Sequence, residues 1–435
     1  MAEASLGLDF GTTNTVLSAA RDGAAPFLYR YAHAGRDYET FRSVLCFWQD
    51  HVQGSAQNHH DAGPSAMARV IEAPKDYRFI QSFKTFAASP LFDSTRIYGD
   101  SYEFSDLLYV FLERFFETLR LPAGSRPARI VVGRPVRYAG SSPSSELAQA
   151  RYDAAFQRLG FTEVHHVYEP VAAAYHFAQR LQGEATILVG DFGGGTSDFS
   201  VIRFTDGRNG KSADPLSHAG VGIAGDAFDY RIIDNIVSPV FGKGSTYRSW
   251  GKELTFPNAY FNVLARWEQL SVMAGTRAFA DLRRLIKDSI EPDKIETFVR
   301  FVEGDLAHSL YQAVSATKTA LSKGESARFD FDELDIRISA AVERKDFEQW
   351  IDQDLQDISR CIDEALEQAG LEAAAIDKVF LTGGTSLVPA VRALFEVRFA
   401  PEKLESGDEL LSVASGLALL GQDSNLDDWT IKTAD

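Results

Sequence analysis

The sequence predicts an α/β protein of two related lobes, and three observations carry that expectation. First, 435 residues exceed what a single hydrophobic core usually organises, so two cores are expected. Second, one pattern occurs twice. Ser5 to Ser18 and Thr186 to Ile202 each read as an apolar strand, a glycine- and threonine-rich turn and a second apolar strand. Third, segments of helical period fill the chain between and after the two hairpins, as alternating layers of helix and strand require.

The elements follow in order. Ser105 is placed to cap a helix carrying Leu107, Leu108, Phe111, Leu112, Phe115 and Phe116 at helical spacing. Ser145 to Leu159 stops at Gly160, and Pro170 to Leu181 is alanine-rich. Asp346 to Ala369 reads as one long polar-faced helix ending at Gly370. The last block is a strand over 378–382, a turn at Gly383-Gly384-Thr385 and a helix from Leu387 to Phe399. The lobes are expected at 1–183 and 184–422, with inserts at about 33–127 and 226–330 and a polar tail at 423–435.

Charge and composition narrow the function. With 44 basic against 61 acidic residues the chain carries a formal charge of −17, which repels nucleic acid unless a basic patch overrides it. The two cysteines, Cys46 and Cys361, lie far apart and suggest neither a disulfide framework nor a zinc site. His59-His60 and His165-His166 are adjacent pairs whose side chains diverge on extended chain, without partners at ligand spacing. The start has no secretory pattern, and no apolar stretch is long enough to span a bilayer. A cytoplasmic protein with no membrane contact is expected.

The turns themselves carry chemistry. Backbone N–H groups converge on phosphate oxygens only where side chains stay out of the way, which Gly193, Gly194 and Gly195 allow on one side and Gly11, Thr12 and Thr13 on the other. The hydroxyls of Thr12, Thr13 and Thr196 add donors. Asp9 and Asp191 stand immediately before the turns, where two carboxylates can hold a hydrated Mg²⁺ beside phosphates. One such hairpin alone is a common structural turn; the duplication of acid, glycine and threonine is what points to a site. Other readings of the same letters fail. Asp-Phe-Gly occurs twice without the H-R-D segment of protein kinases. Gly220, Gly222 and Gly225 spell a dinucleotide fingerprint, but after a polar Ser-Ala-Asp-Pro stretch rather than a clear strand, and with Ser245 where an acid is expected.

Taken together, five segments resemble the nucleotide-binding domain of the seventy-kilodalton heat-shock chaperones (DnaK-type), in the actin, sugar kinase and heat-shock ATPase superfamily. They are Leu8 to Thr13, Val131-Val-Gly-Arg-Pro135, Tyr168-Glu-Pro-Val-Ala-Ala-Ala174, Asp191 to Asp198, and Val379 to Pro389. Their order spans about residues 5 to 420, and the short YegD-type members look most similar in architecture. The resemblance implies a two-lobed actin-like ATPase fold of duplicated ribonuclease H-like domains, each with a large insert. It implies ATP or ADP with Mg²⁺ as the ligand.

Residue by residue, it assigns Asp9 and Asp191 to the metal's water shell and Gly11, Thr12, Thr13, Asn14 and Gly193 to Thr196 to the phosphates. Lys84, in Ser82-Phe-Lys-Thr-Phe86, resembles the lysine that approaches the terminal phosphate. Glu169 and Asp198 would position the attacking water or its metal, making Lys84, Glu169, Asp191 and Asp198 the catalytic set. Gly225, Lys318, Ser322, Gly383, Gly384, Thr385 and Leu387 would line the nucleoside end. The family's two stacking arginines are replaced by Thr319 and Leu387, and Asn14 replaces an aromatic residue. The resemblance implies a slowly hydrolysing chaperone-like switch, with a peptide-binding domain not expected after Leu420. A non-hydrolysing nucleotide sensor or scaffold that binds a protein partner through the inserts, and a small-molecule kinase or filament former, remain open alternatives.

Overall fold

The computed structural model describes residues 4–21, 24–33, 35–52, 55–72, 77–140, 142–180, 183–207, 210–266, 270, 273–304, 306–405 and 411–431. The chain forms two compact units. One comprises Met1–Ala224, Asp357–Leu387 and Val391–Asp435, the other Gly225–Gln356 with Val388–Ala390.

The first unit holds two sheets of the same topology. In one, the hairpin strands Ser5–Phe10 and Asn14–Ala20 pair antiparallel, Arg129–Arg134 lies parallel to Ser5–Phe10, and Glu163–Tyr168 lies parallel to Arg129–Arg134. In the other, Ala185–Phe192 and Ser197–Gly207 form the hairpin, with Lys378–Thr382 parallel to Ala185–Phe192 and Leu404–Glu405 parallel beyond it. With Phe27–Leu28 beyond Asn14–Ala20 and Gly210–Val221 beyond Ser197–Gly207 as the third strands, each sheet runs third, second, first, fourth, fifth, the first carrying Phe41–Arg42 as an additional strand on Asn14–Ala20, so the duplicated sequence is a duplicated fold. This is the actin-like ATPase architecture expected from the sequence.

The helices after each fifth strand meet. Glu169–Ala178 follows Glu163–Tyr168, and Ser412–Leu420 follows Leu404–Glu405. Their backbones approach so closely that a Cβ at Gly416 would stand 1.7 Å from the Ala172 carbonyl oxygen. Only small residues permit such a crossing. It explains the run Val171-Ala-Ala-Ala174, buried at 3% exposure or less.

Helix boundaries differ from the sequence expectation in physically informative ways. Ser105 lies inside a helix running Phe104–Thr118; the end is capped instead by the Asp106 carboxylate, which accepts from Glu103 N–H at 2.9 Å. The long 346–369 helix is two, Arg344–Trp350 and Asp352–Gln368, separated at buried Ile351. Asp352 and Asp354 favour the new N-terminus. The Ser145–Arg158 helix does end before Gly160, which adopts φ +90°. A strand, Gly210–Val221, does precede the Gly220–Gly225 glycines. It is an antiparallel edge strand, so no parallel βαβ unit exists there for a dinucleotide.

Past Ser412–Leu420, residues Leu426–Trp429 form a short helix with Leu426 buried, and Ile431 N–H donates to the His166 carbonyl at 2.9 Å. Residues 432–435 of the expected tail lie outside the described residues. The second unit is built from helices including Pro292–Glu303 and Ala307–Lys323 and from hairpins Thr246–Ser249/Lys252–Thr255 and Ser326–Glu333/Ile336–Glu343.

Candidate functional site

The candidate-site acids of the two hairpins are each followed by a buried phenylalanine. Phe10 is fully buried and packs on Phe83 at 5.4 Å and Phe111 at 5.5 Å, which holds Asp9 on one side and Lys84 on the other. Phe192 packs on Phe199 at 5.6 Å and Phe395 at 6.0 Å and so holds Asp191 and Asp198, which face one another across the hairpin. Burying each ring contributes roughly 1.5–3 kcal/mol, enough to make the alternation of acid and aromatic a positioning device.

Both turns close in the same way. Gly11 N–H donates to the Asn14 carbonyl at 2.9 Å, and Gly193 N–H donates to the Thr196 carbonyl at 2.9 Å. The turns also lie side by side, since a Cβ at Gly195 would stand 3.8 Å from Thr12 Oγ1. The first is braced by Ser43, whose hydroxyl donates to the Gly11 carbonyl at 2.7 Å, and by Arg42, which donates to Asn14 Oδ1 at 3.3 Å. The second is braced by Thr385, whose hydroxyl donates to the Gly193 carbonyl at 3.1 Å.

Beside the turns Lys84 Nζ donates to Glu169 Oε1 at 2.7 Å, with both side chains 8% exposed. Lys84 sits on a short 3₁₀ turn after Ser82, which is held at φ +54°. Glu169 opens the helix that Pro170 starts. Burial alone would lower the Lys84 pKa, but the charges of Glu169 and Asp9 and the hydrogen bond to Glu169 hold it above the ordinary value.

The carboxylates are strained electrostatically. Burial, then repulsion from Glu169, pushes Asp191 up to about 7, against the opposing effects of Lys84 and a 3.3 Å hydrogen bond from Thr382. Asp9 is raised well above the usual carboxylate range by burial and by Glu169, with Lys84 opposing and Asp191 adding. Asp198 is raised for the same leading reasons although Arg137 N–H donates to its Oδ1 at 3.1 Å. Its Oδ2 is buried without a hydrogen-bond partner among the described residues.

This donor set fits a hard divalent cation carrying water and phosphate oxygens, because added positive charge relieves the repulsion that raises Asp9 and Asp191. Among the described residues no group of three or more histidine, cysteine or acidic side chains could hold a metal ion. A cation held through shared water and phosphate oxygens does not require such a group.

The structure thus brings together Asp9, Gly11 to Asn14, Lys84, Glu169, Asp191, Gly193 to Thr196, Asp198 and Gly383 to Leu387 within the first unit. Leu387 is 62% exposed. Gly225, Lys318 and Ser322 belong to the second unit. There Lys318 Nζ lies 2.7 Å from Asp229 Oδ1 and 3.1 Å from the Gly225 carbonyl, and the Ser322 hydroxyl donates to the Lys318 carbonyl at 3.0 Å. Thr319 is exposed.

Sequence reasoning missed Ser43, Thr382, Tyr138 and Arg134. Thr382 was legible as the end of the strand beside Asp191. Arg134 and Tyr138 lie in or just after the Val131–Pro135 segment, which entered only through its family resemblance. Ser43 had no local signal, because its role arises from a pairing across 32 residues.

Comparison with known proteins follows this geometry. Residues 146–246 and 302–423 match the family described as Hsp70 protein, just over half of the chain. The chaperone protein DnaK of Mycoplasmopsis pulmonis is 22% identical over 418 residues, covering 95% of this chain and 57% of that protein. The chaperone protein DnaK of Deinococcus radiodurans is 25% identical over 438 residues, covering 97% of this chain and 60% of that protein. The chain therefore spans somewhat under two thirds of these relatives. On the extent of the family match, and with both duplicated sheets in place, this chain belongs to the Hsp70 protein family.

Proposed function

We propose that the chain binds ATP with Mg²⁺ and hydrolyses it slowly, as a chaperone-like switch whose lobes close on the nucleotide. The observation that carries the reading is the buried Lys84–Glu169 pair standing beside two braced glycine turns and three carboxylates raised by burial and by repulsion from Glu169. The backbone N–H groups of 11–14 and 193–196 would hold the phosphates, and Asp9 and Asp191 would accept hydrogen bonds from the cation's water shell. Bound Mg²⁺ supplies charge neutralisation of the phosphate oxygens. Lys84 would set the position of the terminal phosphate, and Glu169 and Asp198 would orient the water that attacks it. Positioning and electrostatics are expected to supply most of the acceleration.

Phosphate release from ATP tests this directly. Lys84→Ala and Asp191→Asn should each abolish it, and unchanged turnover in both variants would sink the catalytic assignment.

A second reading, a nucleotide sensor that docks a protein partner without turnover, draws on the insert in the second unit. Trp250 is completely exposed at the tip of the Thr246–Ser249/Lys252–Thr255 hairpin and held at φ +51°, an expensive place for a large aromatic side chain. Calorimetry separates the two: ATP binding without phosphate release favours the sensor, and no nucleotide binding defeats both.

A further inference from the structure

Arg134 is a buried cation with no carboxylate paired to it among the described residues. It is 5% exposed, yet among the described residues its guanidinium makes no ion pair and no hydrogen bond, and Nε is sealed from solvent without a partner. Its neighbours are ring faces, Tyr138 with a centroid at 5.4 Å and Tyr168 at 5.5 Å. Two cation–π contacts return only part of what desolvating a guanidinium costs. Buried arginines are ordinarily met by a carboxylate or another oxyanion.

The position of Arg134 says which kind of oxyanion would reach it. It is the last residue of Arg129–Arg134, whose register pairs it with Tyr168, at the carboxyl ends of the parallel strands Ser5–Phe10, Arg129–Arg134 and Glu163–Tyr168. Open α/β sheets take ligands at that edge. Tyr138, whose ring lies under Arg134, has its hydroxyl in the field of Arg134, Lys84, Glu169 and Asp198. Tyr152, which also feels the Arg134 charge, has a buried hydroxyl without a partner among the described residues. A planar fork of N–H donors suits a tetrahedral oxyanion.

We infer that Arg134 anchors a second anion site, distinct from the two glycine turns, which takes inorganic phosphate or another phosphate-class oxyanion. The inference rests on the proposed nucleotide reaction only for the source of that phosphate, and the site itself needs no turnover.

Titration of the nucleotide-free chain with inorganic phosphate tests it. Saturable binding is expected in the unaltered protein. Arg134→Met, which keeps an apolar stem between the two tyrosines, should weaken it on the order of ten- to a hundredfold, the effect of a lost charge-assisted contact. Arg134→Lys should weaken it less. Without phosphate the Met variant should melt at the same temperature or higher, since an unpaired buried charge is gone, and phosphate should raise Tm only where a cation remains. Absence of saturable binding, or equal affinity in the unaltered protein and Arg134→Met, overturns the inference. Should Arg134→Met fail to fold, unchanged affinity in Arg134→Lys overturns it alone.

Phosphate generated on the protein is followed by single-turnover release from ATP, which Arg134→Met should hasten. Phosphate binding through Arg134 without any ATP turnover would leave the site standing and defeat the functional reading. Turnover with a phosphate affinity indifferent to Arg134 would do the reverse.

Discussion

The two hairpins perform the same backbone task with different constraints. Each closes by an N–H from its first glycine to the carbonyl three residues on, at 2.9 Å in both. A Cβ on Gly11, however, would meet the Asn14 carbonyl oxygen at 2.4 Å, whereas a Cβ on Gly193 would stand 3.6 Å from the equivalent Thr196 oxygen, an ordinary contact. The first turn is tight in itself. The second is open in itself and is confined from outside by Gly383, which adopts φ +84° and whose Cβ would fall 2.0 Å from the Phe192 carbonyl oxygen. Duplicated sequence therefore preserved hydrogen bonding and distributed the steric burden differently.

Alanine at these glycines breaks the comparison most severely. Gly383→Ala combines a left-handed backbone with a collision against backbone, and should destabilise the chain by about 3 kcal/mol or more. Gly11→Ala should follow closely, because its clash is with backbone of the same turn. Gly193→Ala should change stability by roughly 0.5 kcal/mol or less, having neither feature. Urea denaturation of the three variants checks the order. A Gly193→Ala variant as unstable as Gly11→Ala would show that the turns are equivalent after all.

The second sheet also carries a pH dependence of its own. His218 Nδ1 lies 2.7 Å from Ser200 Oγ, and burial lowers the ring's pKa from 6.5 to about 4. Because the folded value is the lower one, the unfolded chain takes up this proton first as pH falls. Stability from the neutral ring is complete above about 6.5 and is lost progressively down to about 4, by up to about 3 kcal/mol. His218→Asn keeps a polar partner for Ser200 and should remove that part of the slope between pH 6.5 and 4. An identical slope in both proteins would place the titration elsewhere.

What was legible in the sequence follows from how local each signal is. The hairpins, the Lys378–Thr382 strand and the Gly160 stop each announce themselves within a few residues, and all three are present. The break at Ile351 was invisible because a polar-faced helical period continues through it. The strand before Gly220 was obscured by Pro215 and its polar neighbours, which an edge strand tolerates. Within the candidate site, Asp9, Asp191 and the turns were readable from spacing. The hydroxyl brace at Ser43 was not, since a hydroxyl gains its role only from the strand it meets after folding.

Those hydroxyl braces give the finest test of how far the two turns are independent. Ser43 is 1% exposed and joins two partners, donating to the Gly11 carbonyl at 2.7 Å and accepting from the Thr15 hydroxyl at 2.9 Å, so Ser43→Ala leaves buried polar groups unpaired and should cost about 2 kcal/mol. Thr385→Val removes one bond of 3.1 Å, to the Gly193 carbonyl, and should cost about 1 kcal/mol. If the turns act separately the double variant should lose the sum of the two. Thr12 and Gly195 stand close enough, however, for a displaced first turn to disturb the second. A double-mutant cycle departing from additivity by more than about 0.5 kcal/mol would mean that the turns behave as one unit, and additivity would mean that each is held by its own brace alone.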